Sequence, residues 1–225
     1  MRVSIGVWVD HMVDALFFGS IGVLAETSEI QRQAYNQSFK EHGFDWYWNI
    51  ANYCELLKKP GGKRRLKEFS SRSLSDDIID SIHARKESIF HEHIKSGLTP
   101  RDGVLDCVKI CRKKGIKIGF VTTTSQNNID ALEEAFHKSI DFKQFDLITT
   151  KADVNKEKPS GEIYKLALLK LEVLPEKAVA IEDTEANQQA ALENDILCYL
   201  FAGEYATTQH NFYAVSSLAT INSKL

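Results

Sequence analysis

The sequence predicts an α/β fold: a Rossmann-like parallel β-sheet core with an inserted all-helical cap domain. From residue 98 to residue 200, short apolar segments alternate with amphipathic ones, as in a parallel sheet covered by helices on both faces. Between residues 28 and 97, the chain has helical patterning, many charges and no strand-like run. We therefore predict a core of residues 12–27 and 98–225, a cap of residues 28–97, and an extension of unknown role at 1–11.

Local signals predict each element in turn. The apolar run 14–18 predicts a central strand, and the glycines that follow it predict a turn. Thr27 or Ser28 is a suitable N-cap for the next helix, and Gly115 is a suitable C-terminal stop for a later one. The rest of the core is predicted as helix 104–114, strand 116–121, polar loop 122–128, helix 129–137, strand 145–149, helix 161–170, strand 178–181, helix 185–193 and strand 196–200.

Composition narrows the class of protein. The chain has 225 residues, of which 43% are hydrophobic, which is enough for a folded core. A formal net charge of −3 gives no broad basic surface, so we expect no nucleic-acid partner. The apolar run near the N-terminus is too short to span a bilayer, so we expect no membrane association. Four cysteines without a CxxC pair are typical of a reduced, cytoplasmic protein, and we expect a monomer.

Two further pairs have ordinary interpretations. Cys107 and Cys111 are one helical turn apart, which favours two buried thiols over a zinc site. His91 and His93 are two residues apart, so they lie on different helix faces and are predicted to be solvated.

Three polar groups follow predicted strands at the edge where open α/β sheets bind ligands. Thr122, Thr123 and Thr124 precede a helix, where hydroxyls and backbone N–H groups can cradle a phosphate. Lys158 precedes a proline and can neutralise a phosphoryl group. Glu182 and Asp183 end an apolar strand, where a pair of acids favours a hard cation such as Mg²⁺. Taken singly, each group also has an ordinary structural interpretation: capping or loop residues, a solvated lysine, and a helix N-cap.

Taken together and in this order, these residues resemble the haloacid dehalogenase-like phosphatases (HAD-like). The first loop of that family is a strand followed by D-x-D-G-x-x-x-x-T, which Gly22 and Thr27 match. The resemblance covers nearly the whole chain from Met12 and is greatest to the CbbY-like branch, near β-phosphoglucomutase. The segments that carry it are Glu26-Thr27, Phe44-Asp45-Trp46, Pro60-Gly61-Gly62-Lys63-Arg64-Arg65, Thr122-Thr123-Thr124-Ser125 and Ile181-Glu182-Asp183.

The resemblance implies an Mg²⁺-dependent phosphatase of small sugar phosphates, which acts through a covalent aspartyl phosphate. It implies that Thr122 and its neighbours hold the phosphate and that Lys158 offsets charge in the transition state. Asp183 and Glu182, with the backbone carbonyl of Ile21, would hold Mg²⁺. The residues implied to grip the sugar or a second phosphate from the cap are Glu26, Lys63 and Arg65. The implied partner is a small phosphorylated metabolite, such as a pentulose bisphosphate.

The chain departs from the family pattern at its two catalytic positions. Gly19 stands where the family has its nucleophile, and Ile21 stands where it has its general acid/base. Glycine has no side chain to accept a phosphoryl group, and isoleucine cannot transfer a proton. The Mg²⁺ site also loses a carboxylate, and Asn187 replaces a glycine usual in the last motif. By the family route, this chain is expected to be inactive or severely impaired.

Three functional hypotheses follow. The chain is a pseudoenzyme that binds a phosphorylated ligand or a partner protein, or a phosphatase altered or misread at these two codons, or a purely structural protein. The third is disfavoured because buried, unpaired charges are costly. Ser20 and Asp14 are poor substitute nucleophiles: one is expected on the other side of the strand and the other at its far end.

Overall fold

The computed structural model describes residues 13–71, 73–208 and 213–225. Five parallel strands form one sheet in the order β3-β2-β1-β4-β5. The strands are β1 (Ala15–Phe18), β2 (Lys117–Phe120), β3 (Leu147–Ile148), β4 (Ala178–Glu182) and β5 (Leu197–Leu200). The predicted fold class, an α/β protein with a parallel sheet, is confirmed.

The described part of the chain contains ten α-helices. They are α1 (Ile21–Leu24), α2 (Ser28–Glu41), α3 (Ile50–Leu57), α4 (Gly62–Phe69), α5 (Asp76–Ile94), α6 (Val104–Lys114), α7 (Gln126–Phe136), α8 (Glu162–Leu171), α9 (Glu185–Leu192) and α10 (Ala219–Asn222).

Strand β1 lies at the centre of the sheet because its four residues are fully buried on both faces. One hydrophobic cluster covers the face that includes Leu16 and Phe18, and a second covers the face that includes Phe17. Phe18 pairs with Phe120 of β2 and with Ile181 of β4, so the three strands end side by side. The loops that follow them therefore meet at one edge of the sheet.

Residues 28–97 contain helices α2 to α5 and no strand among those the structure describes. Their apolar side chains form a third cluster that is rich in aromatic rings. Trp48 is fully buried in it, and Trp46 packs against it. We call the helical segment 28–97 the cap; its separation from the core as a domain, at residues 27 and 98, remains a prediction.

Local structure differs from the sequence prediction at several places, one of which is strand β3, observed at Leu147–Ile148 and predicted at 145–149. Helix α7 begins at Gln126, three residues earlier than predicted, because the Ser125 side chain accepts a hydrogen bond from the Asn128 amide and caps it. The segment after β1 is a short helix, Ile21–Leu24, rather than an open turn. Strand β4 extends to Glu182, so this acid lies within the sheet rather than after it.

The predicted extension at residues 1–11 lies outside the described residues. No helix of the described ranges combines the length and the apolar character needed to cross a membrane.

Candidate functional site

A cavity of about 550 Å³ lies between the carboxyl edge of the sheet and helices α2 to α5. Its floor is formed by the loops that follow β1, β2 and β4, and its roof by the segment 60–65 and by α5. The predicted site residues that line it are Gly19, Ile21, Lys63, Arg65, Thr122, Thr123, Thr124, Lys158 and Asp183. The fold thus brings together residues that are up to 164 positions apart in the chain, from Gly19 to Asp183.

The threonine loop after β2 is held by its own hydrogen bonds. The Thr122 amide donates to Thr149 Oγ1 at 3.0 Å, and the Thr124 amide donates to Thr122 Oγ1 at 3.2 Å. Thr122 is only 5% exposed, so the loop is fixed before any ligand arrives. Its remaining N–H and O–H groups at the start of α7 can bind an anion.

Lys158 is almost completely buried at the floor of the cavity. Its ammonium donates to the carbonyl oxygens of Gly19 at 2.6 Å and Val121 at 2.7 Å. It also forms an ion pair with Glu182 Oε1 at 2.5 Å, and the two side chains are 4% and 0% exposed. The strand ends of β1, β2 and β4 therefore meet at this one cation.

The two adjacent acids point to different neighbours. Glu182 Oε1 accepts from Lys158 and from the Tyr164 hydroxyl at 2.8 Å, whereas the Asp183 carboxylate borders the cavity and accepts from Asn187 Nδ2 at 3.3 Å. Burial raises the pKa of both carboxyls; Lys158 opposes this shift at Glu182, and the Ser20 hydroxyl opposes it at Asp183. Burial also raises the pKa of the Tyr164 phenol well above its usual value.

The two positions that the resemblance implies are catalytic, Gly19 and Ile21, offer no functional group to the cavity. Gly19 contributes only backbone, and the Ile21 side chain packs in part against the first hydrophobic cluster. The Ile21 carbonyl, which the resemblance implied as a metal ligand, accepts the Ala25 amide at 2.9 Å within α1.

These residues do not fit a magnesium site as they stand. Mg²⁺ prefers several oxygen ligands in octahedral geometry. Of the implied ligands, Glu182 is paired with Lys158 and the Ile21 carbonyl accepts the Ala25 amide. The Asp183 carboxylate borders the cavity, where it accepts from Asn187 Nδ2. Among the described residues, no group of three or more His, Cys, Asp or Glu side chains is arranged to hold a metal ion.

The cap contributes a cationic rim to the cavity. Lys63 pairs with Asp80 at 2.8 Å, and the Arg65 guanidinium donates to the Leu56 carbonyl at 3.0 Å. Glu26 does not border this cavity: its carboxylate accepts the amides of Ser28 and Glu204, at 2.8 and 2.6 Å.

One face of α5 adds cavity residues that the sequence analysis did not select: His83, Lys86 and Glu87. Burial lowers the pKa of the Lys86 ammonium to about 7 and that of His83 to about 4. Lys86 is 7% exposed, donates to Gln31 Oε1, and lies 5.0 Å from the ring centroid of Tyr35. The helical i, i+3 and i+4 spacing of these polar residues was the available signal.

Helix α5 also contacts the core directly through Asn128 at the start of α7. Asn128 Nδ2 donates to Glu87 Oε1 at 3.1 Å, and Asn128 Oδ1 lies 2.6 Å from His91 Nε2. The prediction that His91 is solvated is therefore wrong, because its ring is half-buried against the core. His93 is exposed, as predicted.

The fold and the position of these loops define a Rossmann-like α/β protein with its candidate site at the carboxyl edge of the sheet. The chain belongs to the haloacid dehalogenase-like hydrolase family, whose model matches residues 22–200.

Within that family, the chain is similar to the protein CbbY of Cereibacter sphaeroides, with 36% identity over 207 residues, covering 90% of this chain and 89% of that one. A solved structure of CbbY from Rhodobacter sphaeroides with xylulose-(1,5)-bisphosphate has a TM-score of 0.83 and 34% identity, and the match covers 92% of this chain and 96% of that one. A phosphorylated carbohydrates phosphatase of Thermotoga maritima is 27% identical, with 80% of both chains covered.

Proposed function

We propose that this chain binds a small phosphorylated sugar in the cavity between core and cap, without hydrolysing it by the aspartyl-phosphate route. The observation that carries the proposal is a cavity of about 550 Å³ with phosphate-type donors on its walls and a glycine where the attacking carboxylate would stand. The related CbbY structure holds xylulose-(1,5)-bisphosphate, which is a ligand of this class.

The cavity offers two anion-binding ends. At the floor, the Thr122–Thr124 segment presents hydroxyls and amides, and on the cap side Lys63 and Arg65 supply positive charge. A sugar with a phosphate at each end has matching chemistry. We therefore infer that the threonine loop takes one phosphate and the cap cations take the other.

The chemical step is what the chain lacks. Phosphoryl transfer in this family starts with attack by an aspartate, and a second acid then moves a proton. Removal of a nucleophile costs about 10⁶-fold in other enzymes. Gly19 and Ile21 remove both groups here, so we expect binding to persist while turnover is lost.

We infer that Mg²⁺ binding is weak, because Asp183 is the one implied carboxylate ligand that stays turned toward the cavity. When bound, the ion would offset phosphoryl charge. Ligand affinity is then expected to change little, less than about tenfold, when Mg²⁺ is removed.

Binding tests this proposal directly. Isothermal titration with xylulose-1,5-bisphosphate is expected to show one binding site. Each of the variants Thr122→Val, Lys63→Ala and Arg65→Ala is expected to weaken the affinity about tenfold. The matched control is Arg85→Ala, which removes a cap charge that pairs with Glu41 and does not border the cavity. Absence of binding in the folded protein, or an equal loss in the Arg85 control, would contradict the proposal.

A second candidate, an Mg²⁺-dependent sugar-phosphate phosphatase altered only at positions 19 and 21, is favoured by one observation. Thr122, Lys158, Glu182 and Asp183 still converge at the strand ends. If this candidate is correct, the Gly19→Asp, Ile21→Asp double variant is expected to turn over sugar phosphates.

A further inference from the structure

All N–H donors of the Lys158 ammonium are already engaged in hydrogen bonds. A lysine ammonium carries three N–H groups. Three acceptors surround it at 2.5 to 2.7 Å: the Gly19 carbonyl, the Val121 carbonyl and Glu182 Oε1. A phosphoryl group could reach this ammonium only by displacing one of them.

The carboxylate that binds Lys158 also occupies the space beside Gly19. A Cβ atom added at residue 19 would lie 2.2 Å from Glu182 Oε1 and 2.4 Å from the Tyr164 hydroxyl. Such separations are far below van der Waals contact, so no side chain fits at position 19 unless these groups move. Glu182 is the flexible partner, whereas the Tyr164 ring is fully buried in the second hydrophobic cluster.

We propose that Glu182 supplies the negative charge beside Lys158 that an aspartate at position 19 would otherwise supply. Tyr164 is the positioning residue that holds Glu182 in that place through its hydroxyl. Lys158 is then a structural counter-ion that joins three strand ends, and the phosphorylated ligand is bound by the threonine loop and the cap cations instead.

The arrangement of the carboxylate supports this role. Glu182 is 0% exposed, and its other oxygen, Oε2, has no hydrogen-bond partner among the described residues. A buried carboxylate with only Lys158 and Tyr164 as partners depends on the lysine for its charge balance. Lys158 depends equally on Glu182, because its other two acceptors are neutral carbonyls.

Thermal unfolding of the full chain tests the assignment, independently of any ligand. Glu182→Gln removes the only carboxylate that is hydrogen-bonded to the buried Lys158 ammonium among the described residues, and we expect the unfolding midpoint to fall by about 10 °C. Because glutamine fills the same space as glutamate, the rescue uses Glu182→Ala, which removes the anion and the atoms nearest to Gly19. Adding Gly19→Asp to Glu182→Ala is expected to restore part of the loss that Glu182→Ala causes. The matched control is Gly19→Asn in the same background, which has the same size without the charge and is expected to restore nothing.

Tyr164→Phe provides a milder test if Glu182→Gln does not fold. It removes one of the atoms that a side chain at position 19 would meet, so Gly19→Asp should lower the midpoint less with Tyr164→Phe than alone. Equal midpoints for the aspartate and asparagine variants, no loss in Glu182→Gln, or a Gly19→Asp penalty that Tyr164→Phe leaves unchanged would overturn the proposal.

Discussion

Lys86 is a cation in an environment that disfavours charge. Its ammonium lies 5.0 Å from the centroid of Tyr35 and 5.3 Å from that of Phe90. Burial lowers its pKa from 10.5 to about 7, with Glu87 partly offsetting the shift. Because the unfolded lysine keeps its ordinary pKa, the unfolded state binds more protons between pH 7 and pH 10. The free energy of unfolding that Lys86 contributes therefore rises with pH across this window.

Lys86→Met is expected to stabilise the protein at pH 7 by as much as about 3 kcal/mol, because it removes this protonation cost. The variant should also flatten the rise in unfolding free energy between pH 7 and pH 8.5. Urea unfolding at both pH values measures this, with the exposed Lys113→Met as the control. A variant that is less stable than the parent at pH 7, with an unchanged pH slope, would contradict the burial argument.

The sequence alone predicted only some of the residues that form the site. The threonines, Lys158 and Asp183 follow strand ends and were selected for that reason, and all border the cavity. The partner of Lys158 was not predictable, because it depends on β4 extending through Glu182 and on the empty space beside Gly19. Local spacing carries no information on such contacts between distant segments.

At the scale of elements, the segment after β5 ties the sheet to the cap. Tyr205 is 8% exposed and belongs to the aromatic cluster of residues 28–97. Its ring lies 6.4 Å from that of Tyr53, and its hydroxyl donates to Glu29 Oε2 at 2.8 Å. The Glu204 amide donates to Glu26 nearby, at 2.6 Å. This segment therefore fixes the position of α2 and α3 over the cavity.

We expect Tyr205→Ala to speed amide hydrogen exchange in α2 and α3, because it removes both the ring contact and the hydrogen bond. Tyr205→Phe keeps the ring and should have a smaller effect. Exchange measured by mass spectrometry distinguishes them, with Tyr213→Ala as a control, since that ring contacts Tyr199 of β5. Unchanged exchange in Tyr205→Ala would show that other contacts hold the cap.

Helix ends give a second prediction at this scale. Gly115 ends α6 with φ of +71°, and an added Cβ would meet no atom within 4 Å. Gly115→Ala should therefore lower the free energy of unfolding by about 1 kcal/mol through backbone strain alone. The neighbouring Lys114→Ala, inside the helix, serves as the control for urea unfolding. An equal change in unfolding free energy for the two substitutions would rule out backbone strain at position 115 as the cause.

Elements with strong local signals were predicted well. Helix α6 has the predicted bounds, because its amphipathic pattern and the glycine that follows it indicate the same C-terminal end. Helix α7 was predicted too short, because Gln126 and Asn128 look like loop residues until Ser125 is recognised as the cap. Strand β3 is only two residues long at the edge of the sheet, where fewer neighbours extend the hydrogen-bonded ladder.

At the scale of the whole molecule, the cap and the core share several contacts. Tyr205 reaches the cap from the sheet, and Asn128 joins α7 to α5 through Glu87 and His91. Packing and hydrogen bonds of this kind couple the unfolding of neighbouring units. The sequence predicted the helical insertion between the first strand and the remaining core, but the pairing of these distant side chains required the fold.

We expect one cooperative thermal transition for the whole chain. Tryptophan fluorescence in a Trp8→Phe variant reports on Trp46 and Trp48 in the cap, whereas far-ultraviolet circular dichroism reports on all helices. The two probes should give coincident midpoints. An earlier fluorescence transition would show that residues 28–97 unfold separately.

We propose that this chain is a haloacid dehalogenase-like scaffold without the carboxylate that accepts the phosphoryl group in that family. Phosphate release from xylulose-1,5-bisphosphate with Mg²⁺ tests this most directly, for the chain and for the Gly19→Asp, Ile21→Asp double variant, alone and with Tyr164→Phe. We predict no release by the chain and measurable release by at least one restored variant. Release by the unaltered chain that Thr122→Val abolishes would contradict the account.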